Sequence, residues 1–377
     1  MSLPDLRPFR KATAWRPFRI DLGAGLLSLA VASCSSIGPG SIQRDRIDYA
    51  GAMADSWKEQ TLLNVVRLRY ADTPTFMDVS SVIASYAFIG NVNAGTEVNI
   101  GAPSNPTTVP TAVGSVGGSG TYMDRPTLSY TPLTGDKFTK TLLRPIAPSA
   151  IFSLIAAGYP ADFMFQVTVR ALNGVYNRSS AGGVTRPADP EFYLLLDALR
   201  RLQLSESFSL RLEKRDSEDT GLIVFSDRLS PEVQQDVDFV RRILRLKPEN
   251  GEVVLAYGAL QRSPHELAVL SRSMLEILLE LAARIEVPAK HVTDGRTFAN
   301  IEIGPDAQPR DRAIVRIHAG ASPPHDGFAV VRYQDVWYWI DDRDYNSKRA
   351  FTFLLLFFAL AETGVQPQAP ILTLPVQ

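Results

Sequence analysis

From Val82 to Ala102 the even positions read Val, Ala, Tyr, Phe, Gly, Val, Ala, Thr, Val, Ile and Ala. The odd positions from Ser81 read Ser, Ile, Ser, Ala, Ile, Asn, Asn, Gly, Glu, Asn and Gly. Apart from Ile83, Ala87 and Ile89 this is a period of two over about twenty residues, the pattern of an extended strand, which sends alternate side chains to opposite faces. Pro103, Pro106 and Pro110 then force a turn, and Ala112, Val116, Tyr122, Leu128 and Tyr130 oppose Ser115, Ser119, Thr121, Arg125, Thr127 and Ser129 on a return arm. Asp124 and Pro126 fall on the apolar parity, so the clean pattern stops near Tyr122. The sequence predicts a long amphipathic β-hairpin over residues 81–131. Its apolar parity offers Tyr86, Phe88, Val92, Val98, Ile100, Val116 and Tyr122 to a membrane or a partner.

Two readings of the hairpin stay open. In one it belongs to the protein's own sheet, or forms a flap, with one face on the core and one in solvent. In the other each subunit supplies it to a shared membrane barrel, whose strands need about 9–11 alternating residues with aromatics near the interfaces. In outline the second arrangement resembles the lipoprotein channels that export fibre subunits.

The amino-terminal segment sets the address. Arg7, Arg10, Lys11, Arg16 and Arg19 precede a 12-residue apolar span, Leu22 to Ser33, which closes on small residues before Cys34, the single cysteine of the chain. Basic residues, a short apolar run and a small-residue exit have the form of an export signal. The span is too short to cross a bilayer as a helix, which takes about 20 residues. With Val31-Ala32-Ser33-Cys34 in the place of the lipobox, the segment resembles a bacterial lipoprotein precursor. That resemblance implies cleavage before Cys34 and lipid on its thiol and new amine. It also implies sorting to the outer membrane, facing the periplasm, because Ser35 stands where aspartate would retain the product in the inner membrane. Membrane lipid is then one partner, through Cys34.

Losing residues 1–33, with five basic and two acidic residues, takes the charged balance from 39 and 40 to 34 and 38. So mild a balance gives no field for grasping nucleic acid. Hydrophobic content of 45% is that of a globular protein. The predicted organisation is a signal over 1–33, a Ser/Gly-bearing tether over 34–44, a helix plus the hairpin over 45–145, an α+β domain over 146–260 and a C-terminal α+β domain over 261–377. The fold class is α+β, helices packed on antiparallel or mixed sheets.

Within that plan, Asp45 or Asp48 caps a helix ending before Pro74, and helices open at Pro148 and at Pro160, the second running to about Val175. Asp189-Pro190 and Ser230-Pro231 start two more, and strands are expected over 208–212, 222–225 and 252–257. Ser263-Pro264-His265-Glu266 reads as a capping box opening a helix to about Ile285. Strands follow over 313–318, 328–333 and 336–340, with Gln334-Asp335 as the tight turn. Ala350 to Ala361 (AFTFLLLFFALA) reads as a helix buried on all sides.

Chemistry is thinly signalled. His265, His291, His318 and His325 lack ligand spacing, and Asp342-Arg343-Asp344 begins a calcium loop that fails at Ser347 and Phe353. Phosphate loops, dinucleotide fingerprints and nucleophile elbows are missing, so no cofactor, metal or catalytic residue is expected. The sequence points to a binding or assembly component of the cell envelope, with an envelope protein or further copies of itself as partner. An oligomeric export pore is one alternative. A lipid-anchored enzyme using groups such as Asp341, Asp344 and His325 is the other.

Overall fold

Apolar faces build most of the helices, and side-chain caps at Ser230, Ser273 and Asp344 open three of them. A computed structural model describes residues 42–83, 86–99, 111–180, 184–215, 218–226, 229–247, 252–301, 310 and 312–361. Helix α1 (Ile42–Arg69) buries Leu62, Val65 and Val66. It ends at Arg69, and two residues on Ala71 takes the left-handed φ of 56°. Its polar residues then fasten the chain that follows. Asn64 Nδ2 donates to Thr75 O (2.8 Å) and Oδ1 accepts from Thr75 N (2.9 Å), and one turn earlier Gln60 makes the same pair of bonds with Met77. Strands β1 (Met77–Ile83), β2 (Tyr86–Asn99), β3 (Thr111–Asp124) and β4 (Thr127–Pro132) pair as β1 with β4 and β2 with β3. The chain divides into two compact units: Met1–Ala54 with Ser81–Ser129, and Asp55–Ser80 with Tyr130–Gln377.

The second unit is α+β. A short helix, α2 (Gly135–Phe138), runs into a π-helical turn over Thr139–Leu143, then come α3 (Pro148–Ala156) and α4 (Ala161–Thr168). Strands β5 (Val169–Leu172) and β6 (Val175–Tyr176) lead to α5 (Pro190–Leu204), β7 (Phe208–Arg215), β8 (Glu218–Phe225) and α6 (Pro231–Ile243). Next are β9 (Glu252–Tyr257), β10 (Glu266–Ser271), α7 (Met274–Ala282) and α8 (Ala289–Thr293). The last elements are β11 (His318–Gly320), β12 (Gly327–Tyr333), β13 (Val336–Asp341) and α9 (Tyr345–Ala361). A six-stranded sheet runs β6-β5-β10-β9-β8-β7, antiparallel except where β9 and β10 lie parallel, and a three-stranded antiparallel sheet runs β11-β13-β12. A division at residue 260 would cut the larger sheet between β9 and β10.

Five expectations differ. Helix α1 is already helical at Ile42, so Asp45 and Asp48 lie inside it and neither caps it. The helix from Pro160 stops at Thr168, where Val169–Leu172 enters the sheet and Asn173 and Gly174, with φ of 44° and 82°, turn the chain. Ser263 to Glu266 opens a strand, not a helix: Leu267, Ala268 and Val269 are buried at the sheet centre, and a fully buried strand lacks the alternation that would give it away. The working capping box lies one element later, where Ser273 accepts from Glu276 N and Glu276 reaches back to Ser273 N. The strand expected over 313–318 forms only at β11. Finally, α9 is not buried all round, since Thr352, Leu356 and Ala359 share an exposed stripe. Apolarity alone does not distinguish a face closed by the protein's own core from one left open.

Candidate functional site

The contact residues expected from the sequence fall mostly on β2 and β3. The register pairs Phe88 with Tyr122, Val92 with Gly118, Ala94 with Val116 and Val98 with Ala112, and it pairs Tyr86 with Asp124. Opposed residues in an antiparallel ladder share a face, so Tyr86, Phe88, Val92, Val98, Val116 and Tyr122 occupy positions of one parity. The other parity pairs Asn91 with Ser119, Asn93 with Gly117 and Gly95 with Ser115, whose hydroxyl donates to Gly95 O (3.3 Å). Cys34, Ser35, Ile100 and the 100–110 connection lie outside the described residues.

Every residue from Ile89 to Gly95 is exposed on both parities, with Val92 at 80% and Ile89 at 47%. Among the described residues the two-stranded sheet leaves one row of backbone N–H and C=O groups unladdered on each strand. A two-stranded ribbon is marginal alone in water. Val92 lies on the apolar parity and Ile89 on the other, so each face of this stretch carries an exposed β-branched side chain.

The second unit holds its titratable groups differently. Arg69, at the end of α1, is buried. Its guanidinium donates to Ala283 O (3.3 Å), Phe298 O (2.9 Å), Ala299 O (3.3 Å) and Asn300 Oδ1 (3.4 Å) while stacking 3.6 Å from the Phe298 ring centre. Burial pushes it down to about 10, still charged at neutral pH. Next to it the Tyr70 hydroxyl lies 2.6 Å from both His291 Nδ1 and Tyr338 Oη. Burial raises the Tyr70 phenol above its ordinary value, and burial with the Tyr70 hydrogen bond raises Tyr338 further. Tyr333, raised by burial and by Asp72, donates to Asp72 Oδ2 at 3.1 Å.

A second network surrounds Glu280 on α7. Its Oε2 accepts from Ser180 N (2.6 Å), and its Oε1 lies 3.8 Å from Arg178 Nε and 4.0 Å from Arg284 Nε. Arg272 donates to Gln166 O (3.0 Å), Val167 O (2.9 Å) and Arg178 O (2.6 Å), so a buried cation satisfies the last carbonyls of α4. Burial lowers it to about 10. These groups tie distant segments together: Arg178 also donates to Arg310 O (2.6 Å) and Arg312 O (2.9 Å).

The groups named for a catalytic alternative work separately. Asp341 accepts from Arg343 N (2.8 Å), Asp344 caps α9 by accepting from Ser347 N (3.1 Å) and Ser347 Oγ (2.7 Å), and the His325 ring is fully exposed. The Ser347 hydroxyl and backbone hydrogen bonds hold the Asp344 carboxyl below its ordinary value against a burial effect that would raise it. Among the described residues no group of three or more His, Cys, Asp or Glu is arranged to hold a metal, and no helix is long and apolar enough to cross a membrane. No protein-family model, curated protein or solved structure matches the chain.

Proposed function

We propose that this chain is an outer-membrane lipoprotein, held by lipid on Cys34 and sorted by Ser35, that serves as a non-catalytic binding or assembly component of the cell envelope. In this reading the β2–β3 pair is the contact element and an envelope protein is its partner. The observation that supports it most is the uncovered parity carrying Val92 and Ala94. Two or more acyl chains hold a protein at a bilayer where one holds only marginally. Labelling cells with radioactive palmitate tests the anchor: the mature product should carry label and partition with outer membranes, and Cys34→Ala should abolish both. An unlabelled product that keeps residues 1–33 would overturn the proposal.

One observation favours an oligomeric pore as a second reading. Each strand of the pair is 14 residues long, beyond the roughly 9–11 that a tilted membrane strand requires. Detergent-stable rings that lose membrane insertion on deletion of residues 90–120 would support it. A monomeric, water-soluble Cys34→Ser form with the strand pair intact would rule it out.

A further inference from the structure

The exposed stripe of α9 borders a groove of about 350 Å³ in the second unit, formed with Phe163 of α4 and Phe328 of β12. That volume lies within the range of about 300–1,000 Å³ typical of small-molecule sites. Its floor is a fixed aromatic cluster: the Phe353 ring centre lies 5.2 Å from those of Tyr159 and Phe163 and 5.8 Å from that of Phe357. Tyr345 and Leu356, 67% and 49% exposed, stand at its two ends along the helix. The apolar face is therefore open to solvent, which a single-chain ligand would relieve at about 25 cal/mol per Å² covered.

The rim supplies the charge. Lys348 and Arg349 line the groove, and no carboxylate does. Lys348 is engaged by Asp342 at 2.9 Å. Arg349 has no carboxylate within salt-bridge distance among the described residues, and its guanidinium sits 5.9 Å from the Phe163 centre and 6.0 Å from that of Tyr345. A planar guanidinium held over rings at the mouth of an apolar slot is a receptor for a carboxylate with a hydrocarbon tail. An extended peptide fits less well. Its N–H groups need acceptors, and among the lining side chains the acceptor oxygens are the hydroxyls of Thr352, Tyr159 and Tyr345.

We infer that this groove binds a long-chain fatty acid, its carboxylate on Arg349 and its chain over Phe163 and Phe353 toward Leu356. The site stands on the second unit alone and does not depend on lipidation of Cys34. Displacement of a fluorescent fatty acid from the purified full-length chain tests it, with palmitate, palmitic acid methyl ester and phosphatidylglycerol vesicles as competitors. Palmitate should compete saturably at one site per chain, and the uncharged ester at least tenfold more weakly. Arg349→Gln should weaken palmitate about tenfold and leave the ester unchanged, and Leu356→Asp should weaken both. Both residues are at the surface, so an unchanged thermal unfolding curve verifies the fold of each variant. Absence of saturable binding, competition indifferent to both substitutions, or competition by vesicles but not by monomeric palmitate would each overturn the assignment.

Discussion

The two units handle their polar and apolar groups in opposite ways. In the second, Glu280, Arg178 and Arg272 are buried among side-chain and carbonyl partners drawn from α4, the 178–180 segment and α7. In the first, β2 and β3 are fully laddered to each other, yet Ile89 and Val92 stay in solvent. Backbone pairing alone makes a ribbon, and a core requires a second layer. The second unit contains its own second layer. Among the described residues the ribbon's apolar parity shows none over Val92 and Ala94, which are exposed.

Substitutions sharpen this contrast in a graded series. The largest loss is expected from Glu280→Ala, which removes the buried carboxylate that accepts from Ser180 N and faces Arg178. Removing one member of a buried ion pair costs about 3–5 kcal/mol, read as a lowered urea midpoint. Tyr70→Phe removes the bridge between His291 and Tyr338 and should cost about 1–3 kcal/mol by the same measurement.

The same phenols give a pH signature. Tyr70, Tyr333 and Tyr338 have folded values raised above that of the unfolded chain. The folded state therefore keeps protons that the unfolded state releases. Their contribution is complete below about pH 10 and is lost as pH rises through the folded values. Ultraviolet titration should show tyrosines that ionise only with alkaline unfolding, and Tyr70→Phe should reduce their number. Full tyrosine ionisation near pH 10 with the fold intact would contradict the buried network.

Smaller effects separate the two Ser-x-x-Glu sequences. Ser273→Ala should cost about 0.5–2 kcal/mol, because Ser273 caps α7. Ser263→Ala should change stability by no more than about 0.5 kcal/mol, since among the described residues its hydroxyl accepts one long bond, from His265 N at 3.3 Å, and the carbonyl that accepts from Glu266 N is kept. The smallest change belongs to the ribbon: Val92→Asp should leave the unfolding midpoint within about 0.5 kcal/mol of wild type. A large loss there would mean that the ribbon is part of a core after all.

What was legible in the sequence follows the range of the interaction that decides it. The Gln334-Asp335 turn is local, two residues with φ of 46° and 64° between β12 and β13, and the residue pattern locates it. The Ser230-Pro231 helix start is equally local, with Ser230 accepting from Val233 N. Asp189 shows where such reading stops: it precedes α5 as a cap would, yet its carboxylate accepts from Tyr176 N (2.7 Å) and Arg186 (3.0 Å). The Arg69 and Glu280 networks join residues up to 231 apart, and no local pattern marks them. The parity of β2 was readable, but whether anything covers it depends on the rest of the fold. The α9 groove was hidden for the same reason, because twelve apolar-looking residues do not say which side remains open.

The most direct test places a photo-activatable cross-linker in living cells at position 92, on the apolar parity, and at position 93, on the polar one. If the ribbon is the contact element, the probe at 92 should give a discrete adduct with a protein partner or a second copy, and the probe at 93 should give little. Equal labelling from the two positions, or none from 92, would contradict the central claim.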